Sequence, residues 1–215
     1  PPPAGCVVVR PYGAWASPLS ARAAAHAGTR YSGLAVDPGD GNAAGVWWSE
    51  SRPVEGRTAL VVGDDGGVSD VGPPWLRARS RVNEYGGGVF WLGAAHVYWV
   101  DERSQTIQRL PRTVAAASKG SPEQVTYEAP EGLVRRYAAG MTTPDERWVV
   151  CERELHVGGP PPLVVLNELV AVHVATGEDH VLVGVDTPGG GDFVAAPTVS
   201  PDGTLLAWLR WDHPD

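Results

Sequence analysis

A repeated turn-and-strand pattern constrains the fold of this sequence most strongly. Residues 143–151 read TPDERWVVC and residues 200–208 read SPDGTLLAW, so a Ser/Thr-Pro-Asp turn leads directly into an apolar run in both copies. Proline fits the second position of a type I turn and glycine the fourth, which Glu146 occupies in the first copy. Repeats of roughly 40–50 residues that each contain such a turn and strand are typical of the blades of a β-propeller. The two copies are 57 residues apart, and we assign the excess length to the proline-rich loop at residues 158–162.

The rest of the chain favours short strands. Its 27 glycines and 20 prolines among 215 residues interrupt the sequence too often for long helices. Residues 111–132 have the mixed Ser, Gly, Pro and charged composition of a loop. Strands are predicted at residues 45–50, 57–62, 89–92, 96–100, 106–110, 147–152, 168–174, 180–183 and 205–211. The sequence therefore predicts an all-β fold, a partial β-propeller of about four blades of four-stranded antiparallel sheets.

One short helix is expected near the N-terminus. Ser20 is a suitable N-cap for a helix over residues 21–27, and Gly28 is a suitable C-terminal stop. We interpret this helix as a lid on one face of the domain. The predicted organisation is an N-terminal segment at residues 1–40 with this helix, followed by an incomplete β-propeller at residues 41–215.

A glycine run in the middle of the chain indicates a special backbone. Residues 81–91 read RVNEYGGGVFW, with three consecutive glycines between charged residues and an apolar strand. Such a run does not fit a helix interior, and it suits a place where the backbone turns or approaches another segment closely. Arg81, Glu84 and Tyr85 are then held at the mouth of that turn.

Several segments resemble one known family. RVNEYGGG resembles the RVHEYGGG stretch in the N-terminal β-propeller of acylaminoacyl peptidases and dipeptidyl aminopeptidases of the prolyl oligopeptidase (S9) family of serine peptidases, with Asn83 where that family has histidine. Residues 136–139, RYAA, resemble the family's RYAD, but Ala139 replaces the aspartate. Further similar segments are residues 11–20, 48–57, 167–183 and 211–214, so that the resemblance extends from Pro11 nearly to the end. It implies a seven-bladed propeller followed by an α/β-hydrolase domain, so we expect this sequence to be a fragment that lacks the last blades and that domain.

The resemblance also implies that catalysis and substrate entry belong to different domains of the parent protein. A serine peptidase of this class needs a G-x-S-x-G nucleophile elbow, and no such pentapeptide occurs in the sequence. We therefore expect no catalytic residue in this chain and no activity from the chain alone, whereas the intact parent is expected to be a serine-type aminopeptidase or acylaminoacyl peptidase. In the family the propeller gates the hydrolase pocket and helps to hold the N-terminal end of short peptide substrates. The expected partners are these peptides and the C-terminal α/β-hydrolase domain.

Five residues are candidates for substrate contact. Glu84 is suited to a substrate ammonium group, because a carboxylate fixes the orientation of a desolvated cation. Tyr85 is a hydrogen-bonding neighbour and Arg81 a clamp for a substrate carbonyl, while Arg136 and Tyr137 lie in the motif that resembles RYAD. The alternative interpretation is that Arg81 and Glu84 pair with each other and brace the glycine turn.

Composition excludes other classes of function. A formal net charge of -8 at pH 7 and the absence of a basic run argue against nucleic acid and anionic membrane as partners. The two cysteines, Cys6 and Cys151, are widely separated and indicate reduced thiols in a cytoplasmic protein. The six histidines show no metal-site spacing, and we expect neither a metal nor another cofactor.

Two further functions remain open at the level of sequence. A free-standing β-propeller that binds protein partners is the main alternative to the peptidase propeller. A small propeller enzyme of the lactonase type is less favoured, because it needs a central metal held by carboxylates. Part of a ring also leaves blade faces and a strand edge uncovered, so we expect the fragment to aggregate or form oligomers.

Overall fold

The computed structural model describes residues 9–14, 16–21, 28–37, 45–113, 120–159, 161 and 164–214. Within these residues the chain forms fourteen β-strands in four antiparallel sheets, and each sheet contains strands that follow one another in sequence. The residues of the predicted helix after Ala21 lie outside the described part of the chain. No helix in the described part is long and apolar enough to cross a membrane.

The first two sheets have four strands each and the same meandering order. The first sheet contains β1 (Arg30–Asp37), β2 (Gly45–Arg52), β3 (Arg57–Asp64) and β4 (Gly67–Asp70), in that order. The second sheet contains β5 (Phe90–Leu92), β6 (His96–Val100), β7 (Ile107–Pro111) and β8 (Glu123–Gln124), also in chain order.

The third sheet repeats this arrangement, and the fourth has two strands within the described residues. The third sheet contains β9 (Leu133–Thr142), β10 (Trp148–Val157), β11 (Val164–His173) and β12 (Asp179–Val183). The fourth sheet pairs β13 (Phe193–Val199) with β14 (Leu206–Trp211).

Consecutive sheets pack face to face. The first and second sheets share a core that includes Trp47, Leu60 and Trp99. The second and third sheets enclose another that includes Tyr98 and Val170, and smaller contacts join the third sheet to the fourth. A sheet that is covered on both faces buries side chains on both sides of its central strands. This explains why the sequences of these strands are continuous apolar runs. This stacking confirms the predicted all-β partial propeller.

The first strand of each sheet lies beside the first strand of the next. β1 contacts β5, β5 contacts β9, and β9 contacts β13. The strands that open the sheets therefore form the inner rim of the arc, and later strands lie progressively farther out. The connections between sheets and the β6–β7 and β10–β11 turns lie at one end of the strands, which we call the connection end, and the β5–β6, β9–β10 and β13–β14 turns lie at the other.

Several strands of the structure were not predicted from the sequence. β1 belongs to the first sheet although it precedes residue 40, where the propeller was predicted to begin. β4, β9 and β13 were also not predicted. The predicted loop at residues 111–132 contains β8, a two-residue strand that pairs with β7.

The two copies of the repeated turn occupy equivalent places. One joins β9 to β10 and the other joins β13 to β14, each between the first two strands of a sheet. The Glu146 N–H donates to the Thr143 carbonyl at 2.8 Å, and the Gly203 N–H donates to the Ser200 carbonyl at 2.8 Å. Both fourth residues have positive φ, 54° at Glu146 and 74° at Gly203. The repeat is therefore structural, and glutamate occupies a left-handed position for which glycine is better suited.

Candidate functional site

The glycine run lies in the connection between β4 and β5, where it packs against the first strand of the third sheet. A Cβ at Gly86 would lie 2.8 Å from the Ser80 carbonyl oxygen, and one at Gly87 would lie 2.8 Å from the Ala138 Cβ. Ala139 donates its N–H to the Gly88 carbonyl at 2.8 Å. The run permits close approach of two backbone segments, as the sequence analysis predicted.

The two residues at the mouth of this turn have left-handed backbone conformations. Asn83 has φ of 53° and Glu84 has φ of 63°. Asparagine tolerates this region better than most residues, so the replacement of the family's histidine by Asn83 suits the observed conformation. The Gly86 N–H donates to the Val82 carbonyl at 2.8 Å and closes the turn.

The Glu84 side chain projects into solvent and is held by an arginine of the third sheet. The Arg136 Nη1 donates to Glu84 Oε1 at 2.6 Å, while the Glu84 side chain remains 79% exposed. The hydrogen bond and charge of Arg136 hold the pKa of Glu84 below its usual value, so the carboxylate is ionised at neutral pH.

Arg136 also fixes the backbone next to this carboxylate. Its Nη1 donates to the Arg81 carbonyl at 2.9 Å, and the Arg81 N–H donates to the Gln105 side-chain oxygen at 2.8 Å. Within the described residues Glu84 forms its ion pair with Arg136 and none with Arg81. The pairing of Arg81 with Glu84, considered above as a brace for the turn, is therefore replaced by a contact between two sheets.

Glu154 completes the site and was not identified from the sequence. This buried residue on β10 accepts a hydrogen bond from the Asn83 N–H at 2.9 Å and lies 3.0 Å from the His156 Nε2. Its second oxygen is 3.5 Å from the Arg136 Nη1. Glu154 and His156 are two residues apart in the apolar-flanked run 151–157, CERELHV, and this spacing in a strand places their side chains on one face.

The two tyrosines have opposite environments. Tyr85 is 87% exposed beside Glu84 at the connection end. The Tyr137 side chain is 1% exposed in the core between the second and third sheets, and burial raises the pKa of its hydroxyl. The structure thus brings Arg81, Glu84, Tyr85 and Arg136 to one end of the strands and places the Tyr137 side chain in the core.

This arrangement presents a fixed anionic group flanked by arginines. The carboxylate of Glu84 can accept hydrogen bonds from a ligand, and Arg81 offers an exposed donor close by. Within the described residues, no group of three or more His, Cys, Asp or Glu side chains is arranged to hold a metal ion.

Solved structures of puromycin-hydrolysing peptidases resemble the chain. A puromycin-hydrolysing peptidase from Mycobacterium tuberculosis is 31% identical, with a TM-score of 0.72 over 97% of this chain and 32% of its own. A puromycin hydrolase is 29% identical, and a mutant of puromycin hydrolase complexed with PGG is 30% identical, with the same TM-score and coverage. No family model and no curated protein matches the chain.

These matches confirm the predicted resemblance to a propeller segment of prolyl oligopeptidase family peptidases. The chain spans about a third of the length of these neighbours, since the matched part is 32% of each of them.

Proposed function

We propose that this chain is the propeller portion of a serine peptidase and that its connection end admits and orients short peptides. In this proposal the nucleophile and its partners belong to an α/β-hydrolase domain of a longer parent chain. The observation that carries the proposal is the exposed, ionised carboxylate of Glu84, which a rigid contact between two sheets holds at the connection end.

The surroundings of Glu84 support a role in binding a cation. Asn83 and Glu84 have left-handed backbone conformations, which cost free energy and are frequent at functional sites. Arg136 fixes the carboxylate and also donates to the Arg81 carbonyl and approaches Glu154. A carboxylate positioned in this way can receive the ammonium group of a peptide N-terminus without first losing side-chain freedom.

Arg81 and Tyr85 extend the proposed contact surface. Both side chains are exposed next to Glu84. We assign Arg81 to a substrate carbonyl and Tyr85 to a hydrogen bond or stacking contact with the peptide, because their side chains supply a charged donor and an aromatic face with a hydroxyl. Arg136 acts as a positioning residue through its contacts with Glu84 and Arg81.

The test is Glu84→Gln in a peptidase that contains this segment. We expect kcat/KM for substrates with a free N-terminus to fall by roughly tenfold or more, since the charge-assisted hydrogen bond to the substrate ammonium group is lost. Substrates with an acetylated N-terminus are expected to be cleaved at an unchanged rate. Glu123→Gln is the matched control, because Glu123 is also an exposed carboxylate paired with one arginine, Arg109, at 2.8 Å.

The same variant distinguishes a role of Glu84 in substrate binding from a role in stabilising the fold. An equal loss for free and acetylated substrates, together with a lower midpoint of thermal unfolding, would show that Glu84 serves the fold through Arg136 and not the substrate. The chain alone is proposed to be inactive, so an assay of the isolated propeller segment with aminoacyl and acylaminoacyl substrates should give no turnover. A cytoplasmic location is part of the proposal and is supported by the buried free thiol of Cys151.

A further inference from the structure

A cleft lined by arginines lies between the second and third sheets at the connection end. Its volume is about 220 Å³. Arg81 of the β4–β5 connection and Arg103 of the β6–β7 turn line it from the second sheet, and Arg135 and Arg136 of β9 line it from the third. Among the described residues that line it, Glu128 is the only carboxylate, in a chain whose net charge is -8. The cleft is therefore a local concentration of positive charge on an acidic protein, and such a site attracts anions.

Two of the four arginines are uncommitted. Within the described part of the chain, neither Arg81 nor Arg103 forms an ion pair, and both side chains are exposed. Arg136 is already paired with Glu84 and approaches Glu154. Arg81 and Arg103 thus retain their full hydrogen-bonding capacity for a ligand.

Arg135 adds a second indication. Its Nε is buried and has no hydrogen-bond partner among the described residues, because the nearest carboxylate oxygen, Asp179 Oδ2, is 4.0 Å away. A buried guanidinium nitrogen without a hydrogen bond is energetically costly. A negative charge in the adjacent cleft would compensate part of that cost through electrostatic attraction.

The backbone that carries Arg81 and Arg103 is rigid. Asp101 Oδ2 accepts hydrogen bonds from the N–H groups of Arg103 and Ser104, both at 3.0 Å. The Gln105 side chain is buried and bridges this turn to the connection before β5, because it accepts from the Arg81 N–H and donates to the Arg79 carbonyl at 2.9 Å. Hydrogen bonds thus fix the backbone at Arg81 and the backbone at Arg103 relative to each other, which lowers the entropic cost of binding a ligand between the two side chains.

We propose that this cleft is a binding site for an oxyanion, either a carboxylate or a phosphate group. Arg81 and Arg103 donate to its oxygens directly, and Arg135 and Arg136 contribute positive charge from the third sheet. The planar fork of a guanidinium group matches the spacing of two oxygens in both anions. This inference rests on the arginines and their hydrogen-bonded backbone and not on the proposed peptidase function, in which the same Arg81 side chain would donate to a substrate carbonyl instead.

Calorimetric titration of the chain with inorganic phosphate tests the proposal. We expect saturable binding to one site and a roughly tenfold weaker affinity for Arg103→Gln, the loss that removal of a charge-assisted hydrogen bond typically causes. Arg81→Gln should weaken binding to a similar extent. Arg30→Gln is the matched control, since it removes the same charge from an exposed arginine on β1 and should leave the affinity unchanged.

Competition identifies which oxyanion the cleft accepts. Displacement of phosphate by N-acetylglycine, and not by N-acetylglycinamide, would extend the site to carboxylates, whereas failure of both to compete would assign it to phosphate. Saturable binding in either case supports the proposal. An absence of saturable phosphate binding would overturn it, and so would an equal loss of affinity in Arg30→Gln. If Arg103→Gln does not fold, Arg103→Lys provides the same test, with an intermediate loss expected because the charge remains and the fork is lost.

Discussion

Two adjacent tryptophans on β2 distinguish a covered region of the molecule from an open one. Trp47 is 1% exposed and packs against the second sheet. Trp48 points to the opposite face, because successive side chains of a strand alternate, and lines an apolar groove of about 510 Å³ together with Tyr31 and Leu34. The same kind of side chain is thus core on one face of the first sheet and surface on the other.

Both faces of a blade carry apolar side chains that a neighbouring blade can cover. The third sheet has a neighbour on each side, and its central strands bury residues on both faces, as Val149 and Val150 do. On the open face of the first sheet, Tyr31 and Leu34 are 69% and 74% exposed. An apolar groove of this kind on a protein surface favours association.

The largest expected effect is self-association of the isolated chain. We expect size-exclusion chromatography with light scattering to show oligomers whose fraction rises with concentration, because the open face buries apolar area when two molecules meet. Leu34→Ser should shift the distribution toward monomer. Val54→Ser is the matched control, since Val54 is 87% exposed in the β2–β3 turn. A monomer at all concentrations would contradict the interpretation of the open face.

The covered region should respond most strongly to loss of apolar volume. Ile107 is fully buried between the second and third sheets. Ile107→Ala is expected to lower the free energy of unfolding by about 2–5 kcal/mol, since it removes buried methyl groups and leaves a cavity. Leu34→Ala on the open face should change it by less than about 0.5 kcal/mol. Urea denaturation measures both, and similar losses in the two variants would abolish the distinction between the regions.

The glycine run should be equally intolerant of added volume. Gly86 has φ of 88°, and a Cβ there would lie 2.8 Å from a backbone oxygen. We expect Gly86→Ala to cost about 2–4 kcal/mol of unfolding free energy through backbone strain and overpacking. Gly159 is the control, because a Cβ at that position meets nothing within 4 Å. An unaffected unfolding midpoint for Gly86→Ala would show that the connection is easily displaced.

The irregular first strands β1, β9 and β13 explain part of what could not be predicted about the fold. β1, β9 and β13 each have an irregular register with their partner strands. Each also contains a residue with positive φ, namely Gly33, Ala139 and Ala196. A bulge interrupts the alternation of side chains, so the period of two is lost from the sequence of these strands on the inner rim. By contrast, β6 and β7 pair with each other in a regular register and were predicted with nearly correct bounds.

The candidate site was predictable only in part, for a similar reason. Glu84 and its neighbours could be identified because the glycine run marks an unusual turn in the local sequence. The partner of Glu84 is Arg136, which lies 52 residues further along the chain on another sheet. Glu154 is likewise brought to Asn83 by the packing of the third sheet on the second. Contacts of this kind depend on how blades pack together, and local sequence patterns contain no information about them.

The covered interface also contains a strained residue that is compensated by contacts. Glu146 has φ of 54°, but its carboxylate accepts hydrogen bonds from the Tyr98 hydroxyl at 2.8 Å and the Ala95 N–H at 2.7 Å. We expect Glu146→Gly to lower the free energy of unfolding by about 1–3 kcal/mol, since the lost contacts to the second sheet outweigh the relief of strain. Glu146→Gln, which keeps an acceptor, should cost less. A more stable Glu146→Gly variant would show that backbone strain dominates at this turn.

The smallest expected effect concerns the interface between the third and fourth sheets. Glu152 accepts a hydrogen bond from the Ala196 N–H at 2.8 Å, and burial raises the pKa of its carboxyl above the ordinary value of 4.5. The folded state therefore binds the proton more tightly than the unfolded state, so the free energy of unfolding falls as pH rises from 4.5 through the raised pKa of Glu152.

Glu152→Gln should reduce this fall, so that the free energy of unfolding at neutral pH increases relative to its value at pH 4.5. Denaturation of both proteins across this pH range measures the difference. Glu123→Gln, at a largely exposed carboxylate, is the control and should leave the pH dependence unchanged, whereas a steeper fall in Glu152→Gln would contradict the assigned direction.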